Sequence, residues 1–524
     1  MHNLLLDPII RVRTRDGLRM LSLPDLYAAL AADEVHDFPA LRAHQRHAWH
    51  ALLCQLGALA CLRAGLATPP RHAEAWLSEL RQLAPDHPDD AAFTLVTAPD
   101  KPAFLQAAVG MHGMAELTSE WMTPDDSDAL VNARNHDLKL GQVANGQPDD
   151  WLFALVMGQT MNGASAAGKA ARYWPISRMN SESGNRPAVS LRPPGGLGAH
   201  VTRDIRRLCA LRQKALEHPA GFSAEGVALV WLRPWDGMAS FRPDQLDPYY
   251  IEICRRVRLT VRDGRILGCV AGTKVARITF SKEAKGLTGD PWTPIETDGT
   301  TAKALTIDST GFNYKRLAKI IARHGFELAP LQRVGGEETQ HTAFLLICRA
   351  LARGQGKTEG LHERRIPVPP RAIDFWRTGE TAPIAEIAQA RIEQAGQVSK
   401  ALQTALMVLF QNGPADGVDW KNKGSKDRTA HFLESLEARI DADFFRYLFV
   451  EIEAEDDERK SRLRAEWLTL LRRRAEEILR EAETGAPTSA VRRYRAQVRA
   501  EAALRRIFFS SFRDYFPKEN SDAA

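Results

Sequence analysis

The hydrophobic period of this chain changes at Pro370, and that break decides most of what it can fold into. Beyond it, Ala388, Ile392, Ala395, Leu402, Leu406 and Leu409 recur at helical spacing up to Asn412-Gly413. Residues three and four apart share a helix face, so one side of this segment must be buried. Its mate is expected to begin near Asp427. Leu463, Trp467, Leu470, Leu471, Ile478 and Ala482 mark another helix, stopped by Gly485 and Pro487, after which Thr488 or Ser489 can cap the next. Long amphipathic helices in this order bury their faces against one another as a four-helix bundle.

Before Pro370 the pattern is mixed. IIRVRT-RDG-LRMLSL, residues 9–23, predicts two short strands about an Asp-Gly turn, and PDLYAALAAD predicts a helix after them. Further strands are expected at Val227–Leu232, Arg256–Val261 and Arg277–Phe280. Irregular stretches rich in glycine, proline and asparagine separate them at 132–150, 162–200 and 281–301. Such long stretches are uncommon in a compact domain unless they bind something or are disordered. The expected fold is therefore a mixed α/β (α+β) N-terminal domain with long irregular loops over residues 1–370. An all-α four-helix bundle follows over 371–518, then a loose tail at 519–524.

With 524 residues the chain can bury more than one core. Its net charge of +5 is only mildly basic, so any nucleic-acid contact must come from local patches rather than from bulk charge. The cysteines at 54, 61, 209, 254, 269 and 348 form no C-x-x-C pair, which points to reduced thiols in the cytoplasm. No segment has membrane-spanning length, and charges interrupt the apolar run at the N-terminus.

ARGQGKTEG, residues 352–360, raises the question of a phosphate-binding loop and a P-loop-like nucleotide hydrolase. That motif needs a glycine where Leu351 stands, and a helix whose first N–H groups face the phosphates. EGLHERRIPVPP follows instead, with an early glycine and three prolines. Three other features invite a chemical reading. His44, His47 and His50 are spaced three apart, so adjacent pairs could share a metal, but no acidic or cysteine partner sits at ligand spacing; helix packing explains them without one. Asn135-His136-Asp137 has a His-Asp neighbour pair but no local nucleophile, and reads as a binding loop. NGASAAGKAARYW, residues 162–174, offers small residues that permit close approach of another backbone, but by itself it reads better as a plain surface loop. In the last helix, Arg492, Arg495, Arg499 and Arg506 form a stripe that suits either a solvated face or a phosphate-tracking one. No metal or cofactor is expected.

Taken together, these pieces resemble the CasA family, the large subunit of the type I-E CRISPR Cascade surveillance complex. The resemblance rests on NLLLDPIIRVR, FPALRAHQRHAWHALLCQL, PAFLQ, NARNHDLK, WLFALVMGQTM, ISRMNSESGNRP and GQGKTEGLHERRIPVP in this order, followed by the helical bundle. It spans essentially the whole chain. It implies a protein without catalytic activity that recognises the protospacer-adjacent motif (PAM) in double-stranded DNA. It further implies help in unwinding the adjacent duplex for R-loop formation and in recruiting a helicase-nuclease. Partners would be target DNA and the guide RNA (crRNA) ribonucleoprotein with the other Cascade subunits.

Residue by residue, the resemblance puts a β-hairpin at the Gly-Lys-Thr stretch. Gln355 would be a wedge between Gly354 and Gly356, with Lys357 at a phosphate, or Lys357 or Thr358 would take the wedge position. Asn162, Gly163, Ala164, Ser165, Gly168 and Lys169 match a minor-groove loop, although alanines and a serine stand where relatives carry glycine. Lys274 and Arg277 match a basic finger. Arg134, Asn135, His136, Asp137 and Lys139 match a loop that anchors the subunit in the complex. The arginine stripe would touch the displaced strand or neighbouring subunits. A standalone nucleic-acid-binding protein is the other non-enzymatic reading.

Overall fold

The computed structural model describes residues 2–127, 145–161, 187–273, 275–336, 338, 342–354, 357–484 and 490–516. They form two units, one of residues 1–312 and 325–367, the other of 313–324 and 368–524.

The first unit opens with the expected hairpin, Ile10–Thr14 against Gly17–Leu21, with Thr14 opposite Gly17. Gly17 has φ +118°, a region that a side chain disfavours, so the turn depends on this glycine. Ser22 then caps the helix Leu23–Ala31 by accepting from the Asp25 N–H. At the centre lies the helix Arg46–Arg63, buried from His47 to Cys61 with the exception of His50. A helix buried on all sides is surrounded by the rest of the fold, and this one forms the core around which the unit is built. The helix Pro148–Thr160 is likewise buried along nearly its whole length. Asp149 near its start receives a bidentate pair of hydrogen bonds from Arg11 at 2.7 and 2.8 Å, which ties the helix to the first hairpin.

Around these helices lie small sheets rather than one large one. Arg256–Arg262 pairs antiparallel with Arg265–Ala271, and Ser119–Trp121 adds on the outer side. Two strand expectations need correction. Val227–Leu232 is a strand only to Leu229; a 3-10 turn follows, because the chain bends to bury Trp231, whose Nε1–H donates to the Ala92 carbonyl at 3.0 Å. Arg277–Phe280 is not a strand: Ile278 makes one isolated bridge to Phe241.

The second unit carries the long helices Ala382–Phe410, Lys423–Glu453, Asp457–Thr484 and Ala490–Ser511. The first ends where the sequence says, with Asn412 and Gly413 both left-handed and the Gly413 N–H returning to the Val408 carbonyl at 2.9 Å. Its mate starts at Lys423, earlier than Asp427, because Asn422 accepts from the Ser425 N–H and starts a polar first turn that has no apolar period to read. Two shorter helices join the bundle, Tyr314–Ile321 and Pro370–Thr378. Tyr314 stacks near Phe444 at 4.7 Å and donates to Glu437, and Trp376 donates to the Ile321 carbonyl. No described helix is long and apolar enough to cross a membrane.

Candidate nucleic-acid interface

The Gly-Lys-Thr stretch sits at the end of a long hairpin. Phe344–Gly354 and Lys357–Val368 are neighbouring strands of 11 and 12 residues, and Ala188–Arg192 pairs with the first of them as the third strand. Lys357 and Thr358 therefore lie in a strand, not ahead of a helix, and no phosphate-binding helix N-terminus follows them. Gln355 and Gly356 lie outside the described residues, as do the side chains of 353–359.

The lower hairpin is braced by charge. Arg349 Nε donates to Glu363 Oε2 at 3.0 Å across the strands, and Arg365 Nε donates to Glu363 Oε1 at 2.7 Å. Arg364 donates to the Phe312 carbonyl at 2.9 Å. Burial pushes the Glu363 carboxyl up, but the hydrogen bonds and charges of Arg349 and then Arg365 outweigh it and hold its pKa below the ordinary value. A carboxylate depressed in the folded state contributes stability above its unfolded pKa and loses it as pH falls through the folded value. This brace therefore stays in place at neutral pH.

Two of the segments expected to touch DNA are rooted near the lower part of this hairpin. The strand pairing sets Ala188 opposite Arg349. Met161, the last described residue before 162–186, lines a cleft with Arg349, Leu351 and Leu361 of the hairpin and with His44 and His47. Both described flanks of 162–186 thus rest on the hairpin at the level of Arg349. From there the strand runs on to Gly354, about 17 Å further. The other segment follows Ala271, which pairs with Arg256. Next to Arg256, Arg255 is held through Gln159, whose buried amide accepts the Cys254 and Arg255 N–H groups and donates to the Leu105 and Arg255 carbonyls. Gln159 lies two positions before Met161, so one side chain aligns the roots of two segments.

Asn162, Gly163, Ala164, Ser165, Gly168 and Lys169 all lie outside the described residues, and so do Lys274 and Arg134, Asn135, His136, Asp137 and Lys139. Arg277 is described, and its place revises its expected role as a reaching finger. It is 3% exposed, donates to the Arg233 carbonyl at 2.8 Å, and packs over the Phe241 ring at 4.5 Å and the Trp235 ring at 5.3 Å. Desolvation lowers its pKa to about 10. A guanidinium held between two rings and a carbonyl braces the chain beside Lys274; it does not extend from it.

In the bundle, Arg492, Arg495, Arg499 and Arg506 are all exposed, and Arg499 reaches the Gly413 carbonyl at 2.6 Å. Beside them Val491, Tyr494 and Val498 stand in water at 82%, 72% and 47% exposure. Sequence reasoning missed this apolar row, which shares its helix with the buried Ala496, Ala500, Leu504 and Phe508.

The three histidines separate. His44 belongs to a short 3-10 turn ahead of the helix, and His47 packs edge-on against Trp292 at 5.4 Å. His50 meets Asp204 and His200 on another helix. His200 and Asp204 were missed; their spacing of four on an amphipathic helix is the signal that could have found them.

A sequence model of the CRISPR-associated protein Cse1 family matches residues 3–478. The crystal structure of CRISPR-associated protein Cse1 from Acidimicrobium ferrooxidans is similar at a TM-score of 0.64 and 16% identity, with 98% of this chain and 99% of that one covered. Thermus thermophilus CasA (Cse1) is similar at 0.64 and 15%, covering 97% and 99%. A chain of a structure described as a CRISPR RNA-guided surveillance complex is similar at 0.59 and 13%, covering 96% and 99%. No curated protein matches.

Proposed function

This chain belongs to the CRISPR-associated Cse1 family, and on that premise we propose that it is the non-catalytic large subunit of a cytoplasmic RNA-guided type I-E complex that reads the PAM and starts strand separation. What supports this reading is the convergence at one hairpin. The flanks of 162–186 rest on its lower part, and Gln159 links the neighbouring root of the Lys274 segment. Segments rooted together can engage one short stretch of duplex from two sides. In this reading Asn162–Lys169 and Lys274 touch the minor groove and Gln355 at the hairpin tip enters the base stack. The minor groove presents a degenerate pattern, so several PAM sequences should be accepted. Arg134–Lys139 anchors the subunit in the complex with its guide RNA. Arg492, Arg495, Arg499 and Arg506 follow the displaced strand or a neighbouring subunit, with Tyr494 as a stacking surface. Recruitment of a helicase-nuclease completes the role.

The test is duplex binding as a function of salt, by the chain alone and assembled with guide RNA and partner subunits. Alone, it should bind weakly and lose affinity steeply as salt rises, since its contacts are local phosphate contacts. Assembled, it should become PAM-selective. Tight PAM-selective binding by the isolated chain at physiological salt would contradict the subunit reading.

The basic finger offers a sharper result. Lys274→Ala should weaken docking by about 1–3 kcal/mol and leave the melting temperature unchanged. Arg277→Ala should instead destabilise the first unit by about 1–3 kcal/mol, because it strips two carbonyls and two rings of a buried partner. Thermal melts beside binding curves separate the two; a stable Arg277→Ala protein with a pure docking defect would restore Arg277 to the finger.

A further inference from the structure

We propose that His50, His200 and Asp204 form a binding site for a divalent transition cation of the zinc class. The three come from two helices, Arg46–Arg63 and Leu197–Ala210, and one ligand atom of each lies within 4.8 Å of the others. Both imidazoles turn the same nitrogen to the same oxygen: His50 Nε2 is 2.8 Å and His200 Nε2 3.6 Å from Asp204 Oδ2. Their rings lie 4.1 Å apart, tilted by 31°. Ligand atoms about 2.0–2.2 Å from a tetrahedral zinc stand roughly 3.3–3.6 Å from one another, a range that the two distances to Asp204 Oδ2 bracket.

Two further observations point to a ligand rather than to a closed ion-pair network. His200 Nε2 is buried and has no hydrogen-bond partner among the described residues, its side chain being only 4% exposed. A polar atom in that position is costly unless something binds it. The carboxylate is also oriented from behind. Arg203 donates to Asp204 Oδ1 at 3.0 Å, while Trp292 Nε1–H donates to Oδ2 at 3.2 Å. Arg203 is itself held by Glu338 and by the carbonyls of Leu331 and Arg333, so its charge is already paired. Outer partners that orient a ligating oxygen are the usual company of a metal site.

The surroundings set the expected strength. The guanidinium groups of Arg203, Arg349 and Arg192 all act on this site through their charge. The same arginines repel a dication, so binding should be weaker than at a thiolate zinc site. A bound ion would staple the central helix to the helix Leu197–Ala210 beneath Trp292.

The test uses the tag-free full chain, stripped with chelator and titrated with Co²⁺ and then Zn²⁺. The wild type should take up one Co²⁺ per chain with the intense visible spectrum of four-coordinate cobalt, lose it to Zn²⁺, and melt at a higher temperature when loaded. His200→Gln and, separately, His50→Gln should each weaken Co²⁺ binding at least about tenfold. Far-UV circular dichroism of the metal-free variants identifies any that fails to fold, and the other then carries the comparison. No stoichiometric uptake by the wild type, a weak octahedral cobalt spectrum, or uptake that the folded glutamine variants retain would each overturn the site.

Discussion

Gln355→Ala in the assembled complex should leave PAM engagement nearly intact and slow opening of the adjacent duplex by at least about tenfold. A side chain inserted into a base step offsets an unstacking cost of a few kcal/mol, and each 1.4 kcal/mol lost is a factor of ten. The hairpin is suited to deliver such a push. Its lower part is cross-braced by Arg349, Glu363 and Arg365, and Arg364 is tied to the Phe312 carbonyl, so its strands resist bending. A wedge acts only when base pairs must part. On a target with a pre-opened bubble beside the PAM the variant should therefore recover, whereas Lys274→Ala should remain weak on both substrates. Lys357→Ala and Thr358→Ala belong in the same series, since the register at the tip allows either to hold the wedge position. If none of the three is defective on duplex, or if the defect persists on the bubble, the hairpin is not a wedge.

Glu451→Ala should destabilise the second unit by about 3–5 kcal/mol. Glu451 accepts from Arg391 at 2.7 Å and from Arg464 at 2.6 Å, and the Arg391 and Glu451 side chains are each only 2% exposed. Removing the carboxylate strands a buried guanidinium whose Nε and Nη1 have no hydrogen-bond partner among the described residues. Desolvation is the main cause that brings Arg391 down to about 10, a sign of how far it has been taken from water. Arg391→Met is the informative counterpart. Arg391 packs over Trp467 at 5.2 Å and Tyr447 at 6.0 Å, so a flexible thioether fills the same space. Arg464 still pairs Glu451, so this variant should lose less than about 1 kcal/mol or gain stability. Urea melts of both variants decide the matter; equal losses would mean that the pair is held together by packing rather than by charge.

The bundle was legible because its signal is local. Ala388, Ile392, Ala395, Leu402, Leu406 and Leu409 repeat along one face, and all are buried but Ile392, which is half-buried. The helix Tyr314–Ile321 was not assigned to that bundle, since its place depends on Phe444 and Glu437 more than a hundred residues away. Of the candidate site, the hairpin at Gly-Lys-Thr was implied by the family resemblance, while Leu351 and the prolines after Thr358 excluded a P-loop helix. The position of Arg277 could not: an arginine three residues after a lysine, at the start of an expected strand, looks exposed until Phe241 and Trp235 are known to enclose it.

The sequence by itself determined the class of each half, the turn at Gly17, the stop at Gly413 and the absence of a phosphate-binding loop. Each of these follows from backbone preference or hydrophobic period within a few residues, which folding elsewhere does not reverse. Tertiary structure alone decided which distant groups meet. Ala188 lies opposite Arg349, Gln159 holds the backbone at Cys254 and Arg255, and His50 faces His200 and Asp204. Burial in a low-dielectric interior makes such polar meetings matter, and a chain's local pattern carries no record of which partner it will find there.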